Sequence, residues 1–340
     1  MYLPYRRIAA ALLLAALSAC NDNPETARQP AAEGSATASP DELRQRLGAA
    51  LPAAQQFTIR PGRDTVLTGA QGTRIHIRAG SFARPAGGGP VQLTLREFYS
   101  RADMLLAGLQ TRSGRRLLET GGMLYLAATA AGQPVGLRPG RSIRLQMPTR
   151  AVQSDMQLFR GAPTATGRVD WQVAPAVAVP ETTQVYSESA AYEELRNREG
   201  VPPGAGDAAS IRSTEPLLSA EDQYYDLEAT GLGWINCDRF LEQGLELVDV
   251  RLAVAPQEVT PYLVFRDLRS IMSPDSSGPD FVVFSRVPLG ARATFVALRQ
   301  TGQQLQLATQ DLSLAPAPQT QLRFQPVTTT ELRTALNRLD

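Results

Sequence analysis

The sequence contains no lysine, and its 340 residues include a single histidine and only two cysteines. All 34 basic residues are therefore arginine. With 33 acidic residues the formal net charge is +1, so we predict no nucleic-acid partner. One histidine and two cysteines are too few for most zinc sites, haem sites and disulfide scaffolds, and we predict no metal and no cofactor. The hydrophobic content of 43% is sufficient for ordinary cores, and the length predicts about two domains.

The apolar run near the N-terminus, residues 8–17, is too short to span a hydrocarbon core, which takes about 20 residues. It follows a short basic segment and is typical of a signal peptide. The run ends in Leu17-Ser18-Ala19-Cys20, which resembles a bacterial lipobox. The resemblance implies cleavage after Ala19, a diacylglycerol on the Cys20 thiol and an acylated new N-terminus, which together would anchor the protein stably in a membrane. The alternative is an ordinary signal peptide with a chance cysteine.

Most of the remaining chain is predicted to be strand, because apolar residues alternate with polar ones and so place one face of each strand in a core. Turn residues such as Pro61-Gly62 and Pro139-Gly140 separate these runs. Short strands at this spacing predict an all-β protein of two antiparallel β-sandwich modules. The alternating apolar positions include Ile75, Ile77, Val91, Leu93, Leu95, Ile143, Leu145, Met147, Val248, Val250, Leu252, Leu322 and Phe324.

Helix is expected at two or three places only. A short helix should begin after Ser39, with Pro40 at its first position, and a second short helix is an option at 192–198. At the C-terminus, Thr328 and Glu331 form a capping box, and the apolar stripe of residues 332–339 predicts a helix that packs on the second module alone. The resulting boundaries are 1–19 for the signal peptide, 20–52 for the lipidated cysteine, flexible tether and short helix, 53–175 for the first sandwich, 176–230 for a linker or low-order insertion, and 231–340 for the second sandwich with its helix.

Two segments of the first module carry a family resemblance. Residues 72–148 are similar to ZU5-type β-sandwich domains of exported Bacteroidota proteins, most specifically in the turn Ala79-Gly80-Ser81-Phe82 and in the segment Glu119–Met123. That resemblance implies a protein-interaction module. Some relatives self-cleave at His-Phe-Ser, a motif that this chain lacks because its only histidine, His76, is followed by Ile77. The segment 233–240 resembles a motif of envelope lipoproteins that carry this domain, and the second module is loosely similar to an immunoglobulin-like or carboxypeptidase-regulatory-like sandwich.

Residues that carry chemistry in other proteins are expected to be structural here. His76 should point to solvent from its strand, and no Gly-x-Ser-x-Gly motif provides a nucleophile. Cys237 lies in an apolar segment, which predicts a buried, inert thiol. Acidic residues of the 275–280 loop lack the ligand spacing of a calcium-binding EF-hand, so a solvated loop is the favoured interpretation.

The segment 234–240 supplies the candidate contact residues. Trp234, Asn236, Asp238 and Arg239 could bind a ligand, but hydrogen bonding at the junction between the modules is the favoured role. The aromatic side chains of Trp234 and Phe240, with the neighbouring Tyr224 and Tyr225, could form a stacking platform for sugars, although core packing explains them as well.

Three functional hypotheses follow. The first is an outer-membrane lipoprotein, facing the periplasm or the cell surface, that is held by lipid on Cys20 and acts as a non-catalytic interaction or scaffold module for other envelope proteins. The second is a carbohydrate- or peptide-binding lipoprotein of an uptake or adhesion system. The third is a carboxylate-based hydrolase, because a glycosidase needs only two carboxylates and the sequence has many. We expect no enzymatic activity.

Overall fold

The computed structural model describes residues 40–83, 89–164, 167–175, 223–241 and 244–340. Strands account for 51% of the structure and helices for 9%, which confirms the all-β class. The predicted signal peptide, lipidation site, tether and Ser39 cap, and the option of a helix at 192–198, lie outside these residues. Within them, no helix is long and apolar enough to cross a membrane.

The first sandwich pairs a sheet ordered β1-β4-β6-β12-β9-β10 with a sheet ordered β11-β8-β3-β2, and short strands β5 and β7 add to β6. All of its named pairings are antiparallel. Its strands are β1 (Gln55–Ile59), β2 (Thr65–Thr68), β3 (Arg74–Ile77), β4 (Val91–Phe98), β5 (Arg112–Ser113), β6 (Arg116–Ala130), β7 (Gln133–Pro134), β8 (Ile143–Thr149), β9 (Gln157–Pro163), β10 (Val169–Val173), β11 (Gln223–Ala229) and β12 (Gly233–Phe240).

The second sandwich pairs a sheet ordered β13-β17-β16 with a sheet ordered β15-β14-β18-β19-β20, again with antiparallel neighbours. Its strands are β13 (Leu247–Ala253), β14 (Thr260–Phe265), β15 (Ile271–Met272), β16 (Ser276–Ser277), β17 (Phe281–Pro288), β18 (Arg292–Thr301), β19 (Gln304–Ser313) and β20 (Gln325–Val327). The predicted strand around Leu322 and Phe324 is wrong. Both side chains are partly buried against the core, but the backbone pairs only from Gln325 onward.

Three large hydrophobic cores fill the two sandwiches and the space between them, and Val259, Ala297 and Ala308 form a fourth, small cluster. The first outer core lies inside the first sandwich. The second outer core lies inside the second, where Leu117 of β6 joins it. The middle core takes the remaining faces of the two larger sheets. In β6, for example, Leu124 belongs to the first outer core and its neighbour Met123 to the middle core. In β14, Leu263 and Val264 divide in the same way. Central strands of the larger sheets, such as β6 and β14, are therefore buried on both faces. The described residues form one compact unit.

Three helices complete the middle core: α1 (Pro40–Gly48), α2 (Arg101–Leu106) and α3 (Thr329–Asn337). Helices α1 and α3 were predicted, and the capping box of α3 is present between Thr328 and Glu331. Helix α2 was not predicted. It has only six residues, and Ser100 caps it by accepting a hydrogen bond from the backbone N–H of Asp103.

The C-terminal helix packs on the second sandwich, as predicted, but the expectation that the first sandwich has no part in this contact is wrong. Leu332 and Leu336 are fully buried, as expected, but in the middle core that both sandwiches share. Helix α3 also contacts α2, where Arg333 bonds the Asp103 carboxylate at 2.5 Å and the carbonyl of Ala50 at 2.9 Å.

The predicted boundaries at 176–230 and 231 do not follow the sheets. Gln223–Ala229, placed in the linker, is strand β11 and pairs with β8 of the first sandwich. Gly233–Phe240, placed at the start of the second sandwich, is β12 and lies between β6 and β9 of the first. The chain therefore returns to complete the first sandwich before the second one begins at β13. Strands β11 and β12 pair with strands that are far away in the sequence. No local sequence pattern therefore shows where the first sandwich ends.

Candidate functional site

A β-bulge in β6 shapes the junction between the sandwiches. The pairing register with β12 shifts at this point, so that Cys237 lies opposite Gly122 while Asp238 lies opposite Thr120, and Gly121 is the extra residue. Two tyrosine rings press on the bulge. A Cβ atom on Gly121 would lie 2.8 Å from Cε2 of Tyr225, and one on Gly122, whose φ is 145°, would collide with the ring of Tyr99. Both glycines are required here because no side chain fits beneath the rings.

The 267–270 loop of the second sandwich docks on this bulge. The backbone N–H of Thr120 donates to the carbonyl of Arg269 at 3.0 Å, and the Ser270 hydroxyl donates to the carbonyl of Leu118 at 2.5 Å. The Arg269 guanidinium donates to the carbonyls of Gly121, at 3.1 Å, and of Tyr99. One loop thus fastens the second sandwich to the most irregular part of the first.

Behind the bulge lies a buried polar network. Asn236 and Asp238 are completely buried, and the Asn236 side chain links the Thr120 hydroxyl, at 2.9 Å, to the Asp238 carboxyl, at 2.5 Å. Burial raises the pKa of Asp238 well above its ordinary value, although the hydrogen bond from Asn236 opposes the shift. One Asp238 carboxyl oxygen, Oδ1, has no hydrogen-bond partner. Asn236 and Asp238 lie outside the lining of the adjacent cavity, whereas Thr120 is part of it.

The aromatic residues do not form the single cluster that their sequence proximity suggested. Trp234 packs in the middle core, 4.9 Å from Tyr125, 5.6 Å from Phe98 and 6.4 Å from Trp171 between ring centroids. Tyr225 lies in the first outer core instead. The Trp234 ring is therefore a packing element, and a sugar platform built from these rings is not formed.

A cavity of about 670 Å³ opens beside the bulge, between parts of both sandwiches. Glu119, Thr120 and Gly121 line it from β6, and Arg269 and Asp340 line it from the second half of the chain. This volume falls within the range of small-molecule sites in proteins. The bulge, the docked loop and the end of the chain thus converge on a single opening.

Five charged residues are among those that line the cavity, and most of them are bonded to other residues of the chain. Arg239, the fourth candidate from the sequence, donates from Nε at 2.8 Å and from Nη2 at 2.6 Å to Glu119 Oε2. The backbone N–H of Arg101 donates to Asp340 Oδ1 at 2.6 Å, and its side chain bonds the carbonyls of Leu339 and Leu268. Arg101 therefore fastens α2 to the C-terminal segment and to the 267–270 loop.

The other candidates from the sequence are structural. His76 lies on the outward face of β3, and its Nε2 is 2.9 Å from Gln146 Oε1. Burial raises the pKa of the Cys237 thiol well above its ordinary value, which fits the expected inert thiol. Asp275 is not the solvated loop charge that was expected, because its carboxylate bonds Arg112 at 2.5 Å and the N–H of Ser285 at 2.7 Å. Among the described residues, no group of three or more His, Cys, Asp or Glu side chains could hold a metal ion.

Sequence reasoning missed the arginines that define the cavity. Arg101 lies in an unpredicted helix, Arg269 in a loop, and Arg150 just after β8. Nothing in their local sequence distinguishes them from solvated surface arginines. The only available signal was the paired glycine of the bulge at 121–122, which the family resemblance singled out without a functional role.

No protein-family model, curated protein or solved structure matches this chain.

Proposed function

We propose that this protein is an outer-membrane lipoprotein whose folded body acts as a non-catalytic interaction module, with lipid on Cys20 as its membrane anchor. The ZU5-like character of the first sandwich and the immunoglobulin-like character of the second belong to the same proposal. Its support comes from the lipobox-like sequence, from the family resemblance and from the form of the folded body.

The cavity at the junction carries the proposal. The walls of the cavity come from both sandwiches, so a bound partner would contact both of them. The polar groups of the cavity converge on one opening. The bulge, the 267–270 loop and the C-terminal segment fix these walls by hydrogen bonds to backbone groups. A wall fixed in this way is preorganised for binding, because little ordering remains to be done when a ligand arrives.

A second candidate is the capture of a small carbohydrate or peptide for uptake or adhesion. The volume of about 670 Å³ favours it, because a cavity of this size accommodates a small ligand better than a protein surface. It differs from the first candidate only in the size of what is bound.

Catalysis by carboxylates is the competing hypothesis. Glu119 and Asp340 both line the cavity, yet each carboxylate accepts hydrogen bonds from an arginine. A glycosidase needs two carboxyl groups that face the bond to be cleaved. Here both carboxylates are engaged by the protein's own arginine residues instead.

Site-specific photo-crosslinking in intact cells tests the proposal. Gln153 is exposed and lines the cavity, so a photo-reactive residue at this position should produce a crosslinked species in the membrane fraction. The same residue at Gln172, which is exposed on β10 outside the cavity, is the matched control. For the second candidate, native mass spectrometry of the protein released from membranes should show a small bound ligand.

Two results would count against the proposal. If neither Gln153 crosslinking nor native mass spectrometry detects a bound species, the cavity is not an interaction site. If Cys20→Ala leaves the protein in the membrane fraction with unchanged lipid labelling, the anchor is wrong, whatever the cavity binds.

A further inference from the structure

Two of the arginines that line the cavity at the junction make no ion pair with the described residues. Three arginines line it, Arg101, Arg150 and Arg269, together with the side-chain carboxylates of Glu119 and Asp340. Glu119 is already bonded to Arg239, which lies outside the lining, and Asp340 is bonded to Arg101. Arg150 and Arg269 therefore have no carboxylate partner within the part of the chain that the structure describes.

The Arg269 guanidinium is fixed in position, but only some of its N–H donors have an acceptor. An arginine side chain has five N–H donors, and here two hydrogen bonds to the carbonyls of Tyr99 and Gly121 account for two of them. These carbonyls orient the group without neutralising it, because they carry no formal charge. The remaining donors are available to an acceptor that enters the cavity.

Burial of the positively charged Arg101 and Arg269 side chains costs free energy that a bound anion would offset. Removal from water lowers the pKa of Arg269 and of Arg101, and in both residues this effect exceeds the attraction of Asp340. Repulsion from Arg269 lowers the pKa of Arg101 further. A negative charge in the cavity would offset both effects.

Arg150 differs from Arg269 in being exposed. It lies at the cavity mouth, after β8, and makes no hydrogen bond or ion pair with the described residues. A long exposed side chain of this kind can adjust to the ligand, while Arg269 provides the fixed contact. Two arginines can hold an anionic group with paired hydrogen bonds that a neutral group cannot match.

We propose that this cavity binds an oxyanion, a carboxylate, sulfate or phosphate carried by a small organic ligand, between the fixed guanidinium of Arg269 and the exposed guanidinium of Arg150. The inference rests on the proposed function, and within it on the capture of a small ligand, because it specifies the ligand class of the same cavity. The uncharged part of the ligand would contact the other lining groups, among them the amides of Gln71 and Gln153 and the apolar side chains of Pro148 and Met156.

Saturation-transfer NMR on the full-length protein in detergent provides the test, with glucose, glucuronate and glucose 6-phosphate as matched probes. The three share a sugar ring and differ in the group at one carbon, which is neutral, a carboxylate or a phosphate. We expect glucuronate and glucose 6-phosphate to bind with dissociation constants of about 1 mM and glucose not to bind. Binding should weaken as salt is added, and inorganic sulfate should compete with it.

Variants locate the binding. Arg150→Gln should weaken anion binding about tenfold, whereas Arg141→Gln, which removes an exposed arginine outside the cavity, should leave it unchanged. Arg269→Gln should abolish the binding. If that variant does not fold, because Arg269 also fastens the two sandwiches, Arg150→Gln decides the question alone.

The outcomes separate this inference from the proposed function. If glucose binds as well as glucuronate, the anion site is overturned while a binding cavity remains. If no probe binds at about 100 mM, or if Arg141→Gln weakens binding as much as Arg150→Gln, the anion site is overturned as well. A species crosslinked at Gln153, or a ligand seen by native mass spectrometry, would then still support the proposed function, and the absence of both would overturn that function as well.

Discussion

Every buried side chain of the first outer core comes from the first sandwich, whereas the middle core draws on both sandwiches and on all three helices. The first outer core could form as soon as one set of strands has paired. The middle core needs both sets and the C-terminal helix together. It also adjoins the bulge, the docked 267–270 loop and the cavity. The cavity therefore depends on the core that forms only when strands of both sandwiches and the C-terminal helix have come together.

Leu336→Asp in helix α3 tests the middle core and should have the largest effect on stability. Leu336 is 1% exposed in the middle core. Loss of a buried leucine costs about 2–5 kcal/mol, and the new carboxylate adds a desolvation cost, so we expect a total of about 5 kcal/mol or more. Because the middle core is shared, both sandwiches should lose stability in one thermal transition, which calorimetry would record.

Asn337→Asp is the control for this experiment, because it places the same carboxylate on the exposed side of the same helix. It should change the unfolding temperature little. Two separate transitions, of which only one falls in Leu336→Asp, would show that the sandwiches are independent and that the middle core does not couple them.

Leu124→Ala tests the first outer core, the other region in this comparison. Leu124 is completely buried in the first outer core and has no part in the middle core. We expect a loss of about 2–5 kcal/mol in the free energy of unfolding, again in a single transition. Anion binding at the junction should be retained at temperatures where the variant is folded. A loss of binding in the folded variant would show that the outer core, too, controls the cavity.

The network behind the bulge should make stability depend on pH through Asp238. Burial raises the pKa of this carboxyl in the folded state, so the folded chain keeps a proton that the unfolded chain releases above about pH 4. The stabilisation is complete below that pH. It falls by about 1.4 kcal/mol per pH unit as pH rises toward the folded pKa.

Asp238→Asn isolates this effect, because asparagine has a similar shape and does not ionise. Its stability relative to the wild type should increase with pH from about 4 upward, as measured by urea unfolding at a series of pH values. Other carboxyl groups titrate in both proteins and cancel in the difference. A difference that stays constant with pH would mean that Asp238 ionises as an ordinary surface carboxyl does.

The sequence predicts strands well where one face is buried and the other is not. Ile75 and Ile77 in β3 and Leu93 and Leu95 in β4 alternate with polar residues, and the structure buries all four. Strand β12 was recognised but misplaced. It is buried on both faces, so its pattern does not show which sandwich it joins.

The candidate site was predictable only in part, because its residues come from distant segments of the chain. Asn236, Asp238 and Arg239 were identified near a junction, and they do hold the bulge beside it. Arg101 and Arg269 are 168 residues apart and meet only because the 267–270 loop and the C-terminal segment dock on the first sandwich. Local sequence carries no information on such a meeting.

The smallest expected change in stability comes from Arg239→Gln, which separates the role of the network in stability from its role at the cavity. The side chains of Arg239 and Glu119 are 28% and 13% exposed, so loss of their ion pair should cost about 1 kcal/mol or less. Binding should respond more strongly. Without Arg239, the Glu119 carboxylate is no longer neutralised, and it should repel an oxyanion held by Arg269 and Arg150.

We therefore expect glucuronate to bind several-fold more weakly to Arg239→Gln while thermal unfolding changes little. The double variant Glu119→Gln/Arg239→Gln removes both charges and should recover most of the affinity, which a double-mutant cycle would quantify. If Arg239→Gln binds glucuronate as tightly as the wild type, Glu119 does not influence the bound charge and the anion lies elsewhere. If the double variant fails to recover, Arg239 acts through the packing of the bulge and not through the charge of Glu119.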